Sequence, residues 1–514
     1  MNKRNVLTYL EASAQRSPES CAVLDQDGEL SYSQLLAASK RIGCALANRG
    51  LQGKPVMVAM EKSTATLTVM LGALYAGAFY VPIDLHVPRL RLQHIIEVLN
   101  GPSIIVDSEK AFADAFGIEG ANAIEYASLA DHEVDEGLLA SIREQALETD
   151  PAYALFTSGS TGVPKGVCVS HGAIVSFIDT FVREFDIRES DRLANQAPFD
   201  FDVSVKDIFG SLAAGATLVI VPRPFFMQPA ALVDYLEEKQ VTMLIWAVAA
   251  LCIVSTYHAL DGERLSRIRK VMFSGEVMPL KHLREWRAQL PGAEFVNLYG
   301  PTEITCNCLF HRLDPACGYE DGIPLGKSFA HCNVLLLDAN GAEVTQPEEQ
   351  GEIVVRGPSL ALGYIGAPEA TAKAFTSNPA NALFPERIYR TGDMAYRSAE
   401  GQLFFCGRKD NQIKLQGHRI ELEEIDVAFE KVPGVMRCRC VFDAKKKRLR
   451  AFYEGSATEA DLLTYARENL PAYMKPASVE LVADMPLTKN GKVDRAKLLE
   501  SSAHASKRHT KKAD

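Results

Sequence analysis

The chain has 514 residues, 47% of them hydrophobic and 23% charged, with a net charge of -10. That length is too great for one core and implies at least two domains, and the composition excludes disorder and coiled coil. The negative balance disfavours general nucleic-acid binding, which depends on phosphate neutralisation by Lys and Arg.

The opening MNKRNVLTYLEASAQRSPES breaks into polar residues before any signal-type apolar stretch forms. No apolar run approaches the ~20 residues a membrane span needs, so a cytoplasmic protein is expected. CAVLDQDGELSY carries an Asp-Gly turn between two short extended runs. SYSQLLAASKRIGCALANRG then sets Leu35, Leu36, Ile42, Ala45 and Leu46 at helical spacing, with Ser33 as the expected cap and Gly50 as the stop. VMVAM and GAFYVPI read as buried strands on either side of helical TATLTVMLGALYA, and AYALF, GVCVSH, TLVIVP, VTMLIWAV and RKVMFSG continue the rhythm. Alternating strands and helices predict an α/β fold.

Near residue 408 the character changes. GRKDNQIKLQGHRIELEEID packs charge and glycine between strand-like QLFFC and helix-like ELEEIDVAFEKV. A boundary is expected at Asp410, dividing residues 1–409 from a small α+β domain over 410–500 and a basic, frayed tail over 501–514. The small domain holds a clear helix, TEADLLTYARENL, opened by a Thr458…Asp461 capping pattern. The eleven cysteines are scattered. Cys438 and Cys440 share one face of a predicted strand, but a zinc site needs two further ligands, so reduced structural thiols are expected.

The most polar stretch is TSGSTGVPKG (157–166), lying between two predicted strands. It lacks the GK[ST] ending of a Walker loop and is not a dinucleotide fingerprint. Its parts nevertheless suit a phosphate cradle. Gly159, Gly162 and Gly166 let backbone N–H groups turn inward, Thr157, Ser158, Ser160 and Thr161 add hydroxyls, Lys165 adds charge, and Pro164 stiffens the turn.

Other motifs follow in a fixed order: NLYGPTE (297–303), YRTGD (389–393) and PLTKNGKVDR (486–495). Together with LSYSQL and GAFYVPID, they make the chain resemble the adenylate-forming ligase superfamily along nearly its whole length. The likeness is to stand-alone amino-acid-activating members, namely nonribosomal-peptide adenylation domains and D-alanine–carrier-protein ligases. The resemblance implies a large N-terminal domain of α/β subdomains with a β-barrel-like portion, followed by a mobile lid. It also implies a reaction in which a carboxylate and ATP give an acyl-adenylate and pyrophosphate, before the acyl group passes to a thiol.

By the same resemblance, the 157–165 loop would hold the β,γ-phosphates, Glu303 would hold Mg²⁺ and Thr302 would contact phosphate. Asp393 would bind the ribose hydroxyls with Arg408 nearby, while Asn297, Tyr299 and Gly300 would line the nucleotide. Lys492 would reach the α-phosphate and the attacking carboxylate, an electrostatic role that needs no proton transfer. Asp410 would be the hinge that exchanges Lys492 for the QIKLQG face, which carries Lys414, during thiol transfer.

The segment NQAPFDFDVSVKDIFGSLAAGATLVI (195–220) matches the family's substrate-reading region. Asp202 aligns with the carboxylate that pairs with an α-amino group, which favours an amino acid over a fatty or aryl acid. Val203, Lys206, Ile245, Met272, Ser274, Leu298, Cys306 and Asn307 would complete the pocket. Two readings of Lys206 stand. Its stem could line the wall while the ammonium reaches water or Asp207, or the ammonium could be the counter-ion of a side-chain carboxylate, making the substrate Glu or Asp.

D-alanine is the rival substrate, since FDVSVKDIF, SGEVMP and LPAYMKP look like those ligases. No phosphopantetheine-attachment segment follows Lys492, so a separate carrier protein is the expected acceptor, with coenzyme A as runner-up. An acyl-CoA ligase and a silent nucleotide-binding scaffold are the remaining alternatives. Asp202 opposes the first, and the intact Lys492, Glu303, Asp393 and phosphate loop oppose the second.

Overall fold

The computed structural model describes residues 5–118, 122–159, 163–487 and 493–500. The expectations for Ser160, Thr161, Gly162, Lys492 and the 501–514 tail therefore fall outside the described residues. The chain forms two compact units. One comprises Met1–Leu85, Ile96–Phe156 and Gly166–Lys409, and the other His86–Ile95, Thr157–Lys165 and Asp410–Asp514.

The first unit is mixed α/β. A nine-stranded sheet runs in the order Lys327–Ser328, Leu309–Arg312, Glu294–Tyr299, Lys270–Ser274, Met243–Ala247, Arg192–Asn195, Thr217–Ile220, Cys21–Leu24 and Glu29–Ser31. Its six central strands, from Glu294–Tyr299 to Cys21–Leu24, are parallel. Antiparallel pairs close both edges. The largely apolar character of the central strands follows from burial on both faces: every residue of Lys270–Ser274 is buried.

A seven-stranded sheet holds Pro55–Ala59 beside Phe79–Pro82 and Ser103–Val106, all parallel. Five antiparallel strands between Asn333 and Arg408 make a third sheet. In open parallel sheets ligands gather beyond the carboxyl ends of the strands. The loops after Ala59, Asn195, Ser274 and Tyr299 leave from such ends.

Helix Thr64–Tyr75 is buried almost all round, as its apolar sequence requires. It packs on helix Tyr32–Ala47 through two glycines. A Cβ on Gly43 would lie 2.5 Å from the Tyr75 Cβ, and one on Gly72 would lie 2.4 Å from Ile42 Cγ2. The expected cap at Ser33 is corrected to Ser31. That residue is the extended one before the first helical turn; its hydroxyl accepts from Gln34 N, and the Gln34 side chain accepts from Ser31 N.

The second unit is α+β. Helices Leu422–Glu430 and Glu459–Asn469 pack on a three-stranded sheet of Val435–Asp443, Arg448–Gly455 and Ser478–Leu481, beside the hairpin Gln412–Leu415/His418–Glu421. Thr458 and Asp461 form the reciprocal cap. Cys438 and Cys440 both point into the core, and all eleven cysteines are free. Among the described residues no helix is long and apolar enough to cross a membrane, and no cluster of His, Cys, Asp and Glu could hold a metal alone.

Candidate active site

In the first unit, strand Glu294–Tyr299 ends in a turn that doubles back on itself. A Cβ on Gly300 would meet Cys306 O at 2.5 Å and Asn307 Cα at 2.6 Å, so only glycine permits the return. Thr305 and Cys306 then adopt φ of 58° and 72°, a strained region for side chains other than glycine, asparagine and aspartate. The strain is held from outside the turn. Thr305 Oγ1 donates to Ser359 O at 2.7 Å, and Cys306 Sγ donates to Asp202 O at 3.1 Å. This backbone carries the side chains of Glu303, Cys306 and Asn307, and nothing in the local sequence announces the strain.

Glu303 is buried, and the Tyr364 hydroxyl donates to its Oε1 at 2.8 Å. Thr302 opens the short helical turn that holds it. Asp393 is also buried: Tyr299 OH donates to Oδ2, Arg408 pairs with Oδ1, and Asp393 N donates to Thr391 Oγ1 at 3.0 Å. Burial first, then Asp393, pushes the Tyr299 phenol well above its usual value, so it remains a donor. Asn297 turns its amide to Pro324 O at 2.9 Å.

The residues expected to line a substrate pocket converge. Ile245 and Met272 are cross-strand neighbours, and period-two alternation puts Ser274 on the same face as Met272. Ile245, Met272, Leu298 and Cys306 belong to one buried cluster, and Val203 is buried at the start of helix Val203–Ala214. Lys206 is 1% exposed. Its ammonium donates to Asn307 Oδ1 at 2.8 Å and lies 3.5 Å from Ser274 Oγ.

The ammonium therefore does not reach water, and no carboxylate among the described residues lies within ion-pair distance of it. Asp207, next in sequence, faces elsewhere and accepts from Asn195 Nδ2 at 2.9 Å. Burial raises the Cys306 thiol well above its usual value, with Asp202 adding to the shift, so Cys306 stays a neutral wall residue.

In the second unit, Thr157, Ser158, Gly159 and Lys165 flank the undescribed part of the loop. Gly159 is obligatory, because a Cβ there would lie 2.0 Å from Val163 O. Ser158 Oγ donates to Arg419 O at 2.8 Å, and Gly159 N donates to Glu424 Oε2 at 3.0 Å. The other oxygen of Glu424 pairs with Arg91 at 2.7 Å, and both side chains are buried. A backbone amide suited to an anion thus already meets a carboxylate. Neither Arg91 nor Glu424 was evident from sequence; the one available signal was the acid-rich ELEEID at a helix start. Asp410 Oδ1 accepts from Gln412 N at 3.2 Å, and Lys414 sits half-buried on strand Gln412–Leu415.

The chain matches the AMP-binding enzyme family over residues 10–365 and the AMP-binding enzyme C-terminal domain over residues 424–492. It is 31% identical to tyrocidine synthase 1 of Brevibacillus parabrevis, with 97% of this chain aligned but only 45% of that protein. It is 32% identical to the D-alanine–D-alanyl carrier protein ligase of Bacillus cereus (strain AH187), covering 96% of this chain and 99% of that one. Among solved structures it is similar to holo-PA1221, a nonribosomal peptide synthetase protein containing adenylation and PCP domains. The TM-score is 0.83 at 28% identity, covering 97% of this chain and 84% of the other.

Proposed function

We propose that this chain, which belongs to the AMP-binding enzyme family, activates an amino acid with ATP and passes it to the phosphopantetheine thiol of a separate carrier protein. In the first half-reaction a carboxylate oxygen attacks the α-phosphorus. The bond to the bridging oxygen breaks, and its electron pair leaves with pyrophosphate. In the second the thiolate attacks the acyl carbon and AMP departs.

An anion attacking an anion needs donors and cations at the crowded phosphorus. Lys492 is the group assigned there, Asp393 and Arg408 hold the ribose, and the 157–165 loop with Thr302 holds phosphate oxygens. A magnesium ion commonly takes one or two carboxylates plus substrate phosphates, which a single buried Glu303 with one oxygen already oriented by Tyr364 would suit. The ion, when bound, would neutralise phosphate charge. Asp410 is assigned as the hinge and Lys414 to the face used in thiol transfer.

The substrate class assigned is an acidic amino acid, and the observation that carries it is the burial of Lys206. A buried ammonium met, among the described residues, only by an amide oxygen and a hydroxyl is costly unless an anion neutralises it. Asp202 would receive the α-ammonium, leaving Lys206 for a side-chain carboxylate. The second reading, D-alanine, is favoured by the 99% coverage of the carrier-protein ligase. Pyrophosphate exchange across L- and D-amino acids separates them. Highest turnover with Glu or Asp is the expected result; highest turnover with D-alanine and silence with both acids would reverse the assignment.

A further inference from the structure

We infer that Lys62 is a positioning residue for amino-acid binding, acting through the backbone of Asn195, Gln196 and Ala197. The inference rests on the proposed reading of Asp202 as the partner of the substrate ammonium. Lys62 lies in the loop between strand Pro55–Ala59 of the seven-stranded sheet and helix Thr64–Tyr75. Its ammonium donates to the carbonyls of Asn195 at 3.1 Å, Gln196 at 3.2 Å and Ala197 at 3.5 Å.

Consecutive carbonyls in an extended strand alternate in direction. Three of them converging on one point therefore require the chain to curl immediately after strand Arg192–Asn195. An ammonium has three donors and no acceptor, so it matches that curl in number and charge. The curl leads through Pro198–Phe201 to Asp202, whose carbonyl accepts from Cys306 Sγ and whose successor begins the helix bearing Lys206.

A second contact ties the same turn to that helix: Asn195 Nδ2 donates to Asp207 Oδ2 at 2.9 Å. Lys62 is itself fixed by its neighbours, since Thr64 N donates to Asp25 Oδ2 at 2.9 Å and Ser63 caps the following helix. The cation thus joins the carboxyl end of a strand in one sheet to the carboxyl end of a strand in the other, at the head of the substrate-reading segment.

The test is steady-state exchange kinetics on K62M and K62R, together with amide hydrogen exchange of the whole chain. In K62M the amino-acid KM is expected to rise about tenfold or more while the ATP KM stays within about twofold. Amide exchange across residues 195–203 is expected to accelerate while the rest of the chain keeps its protection. In K62R a planar fork replaces a point donor and cannot converge equally on three oxygens, so smaller changes of the same kind are expected. That variant carries the test if K62M does not fold.

Unchanged exchange over 195–203, or KM values for ATP and amino acid that rise together, would overturn the inference. If the unaltered protein shows no amino-acid-dependent exchange, the proposed function fails, and the hydrogen-exchange comparison still decides the role of Lys62.

Discussion

In the second unit the Arg91 guanidinium lies 2.7 Å from the Glu424 carboxylate, and the chain itself balances the buried charge. In the first unit Lys206 is more deeply buried, and among the described residues its ammonium meets only the Asn307 amide oxygen and the Ser274 hydroxyl. Both cations are buried, and only Lys206 lies in a segment that the family resemblance made prominent, yet their electrostatic situations are opposite. A buried charge neutralised from within supports structure. One left to neutral acceptors keeps an electrostatic debt that a carboxylate-bearing ligand can discharge.

A third cation sets the scale for both. Lys492→Ala should lower amino-acid-dependent pyrophosphate exchange by about a hundredfold or more, by analogy with the loss of an oxyanion donor. Near-normal exchange would remove it from the chemistry.

The contrast between Arg91 and Lys206 sharpens in stability measurements. Arg91→Met leaves Glu424 buried with an uncompensated charge and should cost about 3 kcal/mol in denaturant unfolding, whereas Lys206→Met removes an unbalanced charge and should be neutral or stabilising. Equal destabilisation by both substitutions would break the comparison.

A smaller effect is expected at Asp207. Burial raises its carboxyl from 3.8 to about 7, against the lowering influence of Asn195, Lys206 and Lys62. The folded state therefore holds this proton more tightly than the unfolded chain. The stability the group contributes is complete below its unfolded value and is lost as the pH rises toward 7. Asp207→Asn should flatten the fall in Tm over that window; an unchanged slope would show that Asp207 does not titrate there.

Much of this was legible in the sequence. Continuous apolar runs such as RKVMFSG marked the parallel strands, and alternation placed Cys438 and Cys440 on one buried face. The helix cap falls two residues before its expected place because serines occupy both positions 31 and 33, and only the backbone decides which is extended. The position of Lys206 was readable, but its partners were not, since Ser274 at the end of a strand and Asn307 lie 68 and 101 residues away. Arg91–Glu424 and Lys62 with the carbonyls of 195–197 escaped for the same reason. Those contacts span hundreds of residues or involve backbone oxygens, which every residue possesses. The positive φ at Thr305 and Cys306 left no trace, because neither residue type favours it.

The most direct test of the central claim is the ratio of kcat/KM for glutamate over methionine in the unaltered protein and in Lys206→Met. That ratio should fall by about a hundredfold or more, the scale of a lost buried charge partner. A ratio that stays the same in the variant would contradict the claim.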